Sequence, residues 1–415
     1  MLKLMKWGSF MIEKFNSKKF FIDLLTSYIN GSKIELKDTD SVNWKEVYYL
    51  ANIHNMVGQL YVVLRNSGIH CDAEIMQNCF NKFTYIVQYS IKQEMITHSL
   101  MELLNKNKIK HIMCKGFVLR NFYPQKELRT MGDVDIVIQQ EDKDRLHNIL
   151  IKNGYKYDEF NSHGQVWNYI KNGIVFEIHR KLVGKNIYDD VDMVGYFEDN
   201  FKFAEVVDRY TYEFKPEHHF IYLITHMALH FRYSGFGVRM LLDIPIFIKR
   251  YGNNLDWNYV QDNLKKLKLY DFANNILTVC NKWFGIKLPY GFDVINKSDL
   301  KIFENYILDG GVFGYTNRNV DAINGANNST TFIGGLKSIL ERVFPSYDKL
   351  KERYAWFGSP PKMLLPLGWV RFWLYRLKYG KIGDIKRIGK IVEVSDDVVI
   401  HNSLMEKLGL KEKRK

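Results

Sequence analysis

At about Ile109 the hydrophobic pattern of this chain stops repeating every three or four residues and begins to alternate. Such a change of period fixes where helices must give way to a sheet. Upstream, FFIDLLTSYI, NWKEVYYLANIHNMVGQLYVVLRN and FTYIVQYSIKQEMITHSLMELLNKNK keep helical spacing, and Asn43 is placed to cap the second. Then IKHIMCKG reads as a short strand ending in glycine, FVLRNFY as a short helix stopped by Pro124, and GDVDIVIQ as a β-branched strand. DKDRLHNILIKNGY reads as a helix ending at Gly154. QVWNYIKNGIVFEIHRKL reads as a hairpin, because Asn172-Gly173 suits a type I′ turn. Helical spacing returns in EHHFIYLITHMALHF, VRMLLDIPIFIKRY, NYVQDNLKKLKL and FANNILTVCNKWF. The expected fold is α+β, a small mixed sheet over 109–212 flanked by helices. The flanks are an N-terminal helical region (1–108), a helical domain (213–330) and a basic aromatic helical tail (331–415). The glycine- and asparagine-rich stretch ILDGGVFGYTNRNVDAINGANNST is a functional loop or a linker.

The charge balance is 59 − 46 = +13 over 415 residues. It favours anionic partners (nucleotides, nucleic acid, sugar phosphates, an acidic membrane surface) without choosing among them. Cys71, Cys79, Cys114 and Cys280 are scattered, with no C-x-x-C pair. They suggest neither a zinc site nor a disulfide framework, and they fit a reducing cytoplasm. The opening MLKLMKWGSFMIEKF lacks the features of a secretory leader, and no apolar run is long enough for a bilayer, so the expected location is cytoplasmic.

Asp133 and Asp135 lie two apart on a strand and therefore share a face. Like charges held that close repel unless a cation lies between them. Alone, the pair is equally well a pair of surface aspartates. In the hairpin register set by Asn172-Gly173, Val175, Glu177 and His179 share one face, opposite Val166, Asn168 and Ile170. An acid bracketed by Phe176 and Ile178 is not there for packing. Three carboxylates from neighbouring strands can hold two magnesium ions, or manganese. Such a pair polarises a phosphate, activates an attacking hydroxyl and stabilises leaving pyrophosphate. Lys115-Gly116, between a strand and a helix, offers a close backbone approach and free N–H groups to a phosphate, and Lys115 and Arg129 add positive charge.

In order, CKGFVLRNFYP, ELRTMGDVDIVI and VFEIHRKL resemble a bacterial family of uncharacterised nucleotidyltransferases within the DNA polymerase β-like superfamily. FIYLITHMALHFRYSGFGVRMLLDI resembles that family's histidine-rich helix. The resemblance runs from about Trp44 to Arg376 and is sharpest over Ile112–Lys181. It implies transfer of a nucleoside monophosphate from an NTP (ATP or another) to an acceptor, with Asp133, Asp135 and Glu177 as metal-binding and catalytic residues. Lys115, Gly116, Arg129, His179 and Arg239 would bind the nucleotide, and the flanking helices would form the acceptor cleft. The acceptor class stays open: small molecule, peptide, protein or tRNA. One departure is that the wider superfamily has Gly-Ser or Gly-Gly at the turn, where this chain has Lys115-Gly116 and then Phe117. Lys115 is the natural substitute for the missing serine.

His226 and His230 are four apart on a helix, with His219 on nearly the same stripe. A structural or substrate-facing role is preferred over a metal site. Arg239 and Asp243 are also four apart, as a helix-surface ion pair or with Arg239 turned to a phosphate. The tail stretch MLLPLGWVRFWLYRLKYGKIGDIKR suits either an anionic membrane surface or packing on its own domain, and packing is preferred. Two rival functions are a catalytically inactive nucleotide-binding module and a glycosyltransferase using Asp133-x-Asp135. The second does not call for Glu177 or the Lys-Gly turn.

Overall fold

The alternating region becomes a seven-stranded sheet in the computed structural model of the chain. The structure describes residues 16–36, 38–163, 165–295, 300–314, 343–353, 360–378 and 396–411, with Leu340 and Phe357. The strands are β1 (His111–Met113), β2 (Asp133–Ile138), β3 (Lys156–His163), β4 (Val166–Lys171), β5 (Ile174–His179), β6 (Ala204–Asp208) and β7 (Thr211–Phe214). Their order is β3-β4-β5-β2-β1-β7-β6, so the aspartate strand β2 is central. β2 runs parallel to β5 and antiparallel to β1, and β1 runs parallel to β7. The sheet is therefore mixed and the fold α+β. Asn172 and Gly173 both have positive φ, at 51° and 82°. They set Lys171 opposite Ile174 and Asn168 opposite Glu177, the register their sequence calls for.

Each face of the sheet meets its own core. Val134, Ile136, Ile138, Phe176 and Ile178 point into a core closed by Leu100 and Leu104 of α4 (Ala73–Lys106) and by Leu146 and Leu150 of α6 (Lys143–Lys152). The short α5 (Gly116–Leu119) lies between β1 and β2 in sequence, and α7 (Met193–Tyr196) precedes β6. A larger core joins α1 (Ser17–Asn30), α2 (Trp44–Ile53) and α3 (Val57–Ser67) to α8 (Pro216–Tyr233), α9 (Val238–Tyr251), α10 (Trp257–Lys266), α11 (Tyr270–Phe284) and α12 (Leu300–Asp309). The N-terminal and downstream helices thus bury one continuous apolar surface. Asn43 caps α2, its side chain accepting from the Glu46 N–H at 3.2 Å. The segment expected as one helix from there breaks into α2 and α3, because Asn55 takes φ 56° and ends the first.

Of the glycine-rich stretch, residues up to Gly314 are described, and the remainder lies outside the described residues. Gly237, before α9, lies so close to the Gly311 and Val312 backbone that a Cβ there would collide with both. The Val312 N–H donates to the Ile53 carbonyl at 2.8 Å. These contacts pin the start of the stretch beside α9. Of the tail, α13 (Tyr347–Arg353), α14 (Leu365–Lys378) and α15 (Asp396–Lys407) are described, while 331–339, 379–395 and 412–415 are not. α14 seats Phe372, with Trp369 and Trp373, against Leu350 and Phe357 in a small separate core. After it, Leu404, Met405, Leu408 and Leu410 return to the main core.

Candidate active site

Parallel pairing of β2 with β5 sets Asp133 beside Val175, Asp135 beside Glu177 and Val137 beside His179. Val134, Ile136, Phe176 and Ile178 alternate into the lower core. Asp133, Asp135, Glu177 and His179 are left together on the other face. Asp135 is buried and heavily engaged. Lys115 Nζ donates to its Oδ1 at 2.6 Å, and His179 Nε2 lies 2.8 Å from the same oxygen. His179 Nε2 is also 3.5 Å from Glu177 Oε2. Lys115 reaches inward from a backbone at φ 50°, a left-handed conformation costing a non-glycine residue about 1–3 kcal/mol. The strain is localised at the residue whose ammonium meets the buried aspartate.

The charges are strongly coupled. Burial alone would push the Asp135 carboxyl up, but Lys115 and the hydrogen bond with His179 hold it well below the usual carboxylate range. Burial would likewise lower Lys115 and His179, and their contacts to Asp135 raise both instead. Asp133 has no such partner. Burial, then Asp135 and Glu177, push it up to about 6. An aspartate in the unfolded chain titrates near 3.9, so folding is penalised progressively as pH rises from about 4 to 6, and fully above that. Asp133→Asn removes the penalty. Without divalent ions, its stability gain over the parent should be about 3 kcal/mol at pH 7 and should nearly vanish by about pH 4. Thermal melts at the two pH values measure it, and an equal difference at both would count against the coupling.

The structure places the arginines differently from the helix spacing. Asp243 pairs with Arg129 rather than with Arg239: Nε donates to Oδ1 at 3.1 Å and Nη2 to Oδ2 at 2.6 Å. The Tyr123 hydroxyl donates to Oδ1 at 2.7 Å. The pair is buried, not on a helix surface. Arg129 Nη1 donates to the Thr130 carbonyl, so its whole fork is occupied. Arg239 reaches the same carbonyl at 2.9 Å, and its Nε is buried without a partner. Burial, then the neighbouring Arg129, lower its pKa to about 10. A Cβ on Gly116 would meet Met131 Sδ at 2.7 Å and Arg129 Nη1 at 2.8 Å, so any larger residue there must displace those side chains.

These groups line one cleft of about 290 Å³. Its floor is Asp133, Asp135 and Glu177, with Lys115 and Gly116. Its wall is His226 and His230 of α8 and Arg239 of α9, and its rim includes Val312 and Phe313. The His226 and His230 rings are 4.4 Å apart and perpendicular. Burial first, then Lys115, keep both neutral, His230 falling to about 4. His219 lies outside the lining, buried against Phe247 at 5.5 Å. Sequence spacing assigned Tyr123 and Thr130 no role as supports of the cleft, although both fall inside the stretches that carry the family resemblance.

Among the described residues, one group of side chains could hold a metal ion: Asp135, Glu177 and His179, whose ligand atoms lie within 4.8 Å of one another. His179 stands there in place of the expected Asp133, which is on the same face but outside that set. The set offers two carboxylates and an imidazole, and Asp133, raised by its burial and then by Asp135 and Glu177, stands beside it. A family model described as uncharacterised nucleotidyltransferase matches residues 40–285, more than half of the chain. The match takes in the whole sheet and the α8–α9 wall, and it ends short of α12 and of Arg376. No match is found among curated proteins or solved structures. The match over more than half of the chain, taking in the strand-borne acids and the α8–α9 wall above them, makes it a member of the uncharacterised nucleotidyltransferase family.

Proposed function

We propose that the chain transfers a nucleoside monophosphate from an NTP to an acceptor hydroxyl or amine, releasing pyrophosphate. The observation that carries this reading is the floor of Asp133, Asp135 and Glu177 on adjacent parallel strands, with Lys115 bound to Asp135 among them, facing Arg239 across one cleft. These three acids, with His179, would hold magnesium or manganese. When bound, such ions neutralise phosphate charge and lower the pKa of an attacking hydroxyl.

The remaining work falls to the chain's own side chains. α5 is only four residues long, so its dipole is weak and phosphate recognition rests on side-chain charge. Arg239 is the cation in most need of an anion, because its buried Nε lacks a partner. Arg129, its fork spent on Asp243, positions the Thr130–Gly132 turn rather than binding phosphate. Lys115 serves as counter-charge to Asp135 and is assigned to a phosphate oxygen once nucleotide enters. Neutral His226 and His230 each offer one donor and one acceptor, which suits a hydroxyl or a base edge better than a phosphate. An NTP substrate and four free cysteines suit the cytoplasm.

Calorimetric titration with non-hydrolysable NTPs, with and without magnesium, tests the reading. Mass spectrometry of small-molecule, peptide, protein and tRNA acceptors after incubation with each NTP tests the transfer. Metal-dependent NTP binding that Asp135→Asn abolishes is expected. Binding of nucleotide sugars but not of NTPs would overturn it. Lys115→Ala should weaken NTP binding by about tenfold, or about 1.4 kcal/mol, and slow turnover as well. Unchanged binding and turnover would show that Lys115 serves Asp135 alone.

A further inference from the structure

Helix α14 has two apolar faces, and among the described residues only one is packed. Phe372, Trp369 and Trp373 fasten it to Leu350 and Phe357, with the Trp369 and Trp373 indole N–H groups donating to the carbonyls of Pro345 and Val343. The other face carries Met363, Leu367, Val370, Leu374 and Leu377, at steps of four, three, four and three residues. That spacing draws one line along the helix and the 3₁₀ turn before it. All five are exposed, Met363 at 84% and Leu367 at 66%. Scattered exposed leucines are ordinary, but a continuous row of this length marks a contact surface.

Charge identifies what that surface meets. Residues 362–378, the helix and the turn before it, contain four lysines and arginines and no acid, so 4 − 0 = +4 of the chain's +13. A second copy would bring two such stretches together. A nucleic acid would satisfy the charge but would offer nothing to a row of aliphatic side chains. An anionic bilayer satisfies both, with headgroup phosphates for the basic residues and the acyl boundary for the apolar row. Among the described residues no helix is long and apolar enough to cross a membrane, so the contact is in the plane of the surface.

We propose that α14 docks this protein on an anionic phospholipid surface through the row Met363, Leu367, Val370, Leu374 and Leu377. The tryptophans hold the helix to its own small core, which presents the row to the lipid. This docking is independent of the nucleotide chemistry.

Flotation of the full chain with vesicles of phosphatidylcholine alone, or with about one part in three phosphatidylglycerol, tests it. Binding to the anionic vesicles is expected, at least about tenfold weaker on the neutral ones and weakened by salt. Leu367→Glu with Leu374→Glu should lower partition by at least about tenfold with an unchanged melting temperature, since both side chains are exposed. Leu367→Gln with Leu374→Gln serves if the charged pair shifts the melt. Failure of the parent protein to float, or equal flotation of the variants, would overturn the proposal. So would a dimer of the parent protein that the same variants dissociate, which would assign the row to a second copy.

Discussion

Asp243→Ala is expected to destabilise the folded chain by about 3–5 kcal/mol, the largest stability loss of any single change near the cleft. Arg129 and Asp243 are both nearly sequestered, with side chains 8% and 5% exposed. Removing the carboxylate leaves a buried guanidinium without its counter-charge and takes from the Tyr123 hydroxyl its acceptor. The pair spans 114 residues and ties the turn entering β2 to α9. Its loss should therefore also loosen Thr130, whose carbonyl both Arg129 and Arg239 hold. Arg129→Met combined with Asp243→Leu removes both charges and should recover much of the loss, because the penalty comes from an unpaired ion rather than from a missing contact. Denaturant midpoints for Arg129→Met, Asp243→Leu and the double variant close the cycle. A single variant within about 1 kcal/mol of the parent would show that water reaches the site and screens the charge.

What the sequence discloses and what it hides divide on a physical line. Parity along a strand is local, so the common face of Asp133 and Asp135 was legible, as was the register putting Glu177 and His179 together. The Asn172-Gly173 turn fixes that register within a few residues. The outer strands were not legible. KYDEFNSH of β3 and AEVVD of β6 form the two edges of the sheet. β6 leaves all but its first residue exposed, so neither shows the alternation of a half-buried strand. The helix-surface ion pair that the spacing of Arg239 and Asp243 allows does not form, because Arg129 from a distant segment holds Asp243, and Arg239 lines the cleft, as the other reading of that spacing has it. Lys115 was legible as a cation near the acids, but its engagement with Asp135 depends on a left-handed backbone that no residue type announces. The tail helix was read as packed on its own domain, and one face of it packs, against Leu350 and Phe357 in a small separate core. The exposed row on its far side follows from the small size of the core it joins.

Glu177→Gln should separate catalysis from nucleotide binding. The floor of the cleft is asymmetric. Asp135 is only 7% exposed and bound on one oxygen by Lys115 and His179, whereas Glu177 is 30% exposed with His179 as its nearest partner, at 3.5 Å. On the proposed reading, a carboxylate so tightly held marks the deep end of the site, where a nucleotide's phosphates and their counter-ions would lie. The looser one stands toward the mouth, where an acceptor must enter. Glutamine keeps the shape of Glu177 and removes the charge that would orient and deprotonate the acceptor. The interaction lost is one that strengthens as the attacking group gives up its proton, so the effect belongs in the rate rather than in ground-state binding. The turnover constant should fall by about 100-fold or more, about 2.7 kcal/mol in the barrier. The NTP dissociation constant should change by less than about tenfold, or about 1.4 kcal/mol. Single-turnover kinetics beside calorimetry with a non-hydrolysable NTP read the two quantities separately. If NTP binding is lost as completely as turnover, Glu177 sits with Asp135 on the nucleotide side, and the acceptor must approach past Asp133 instead.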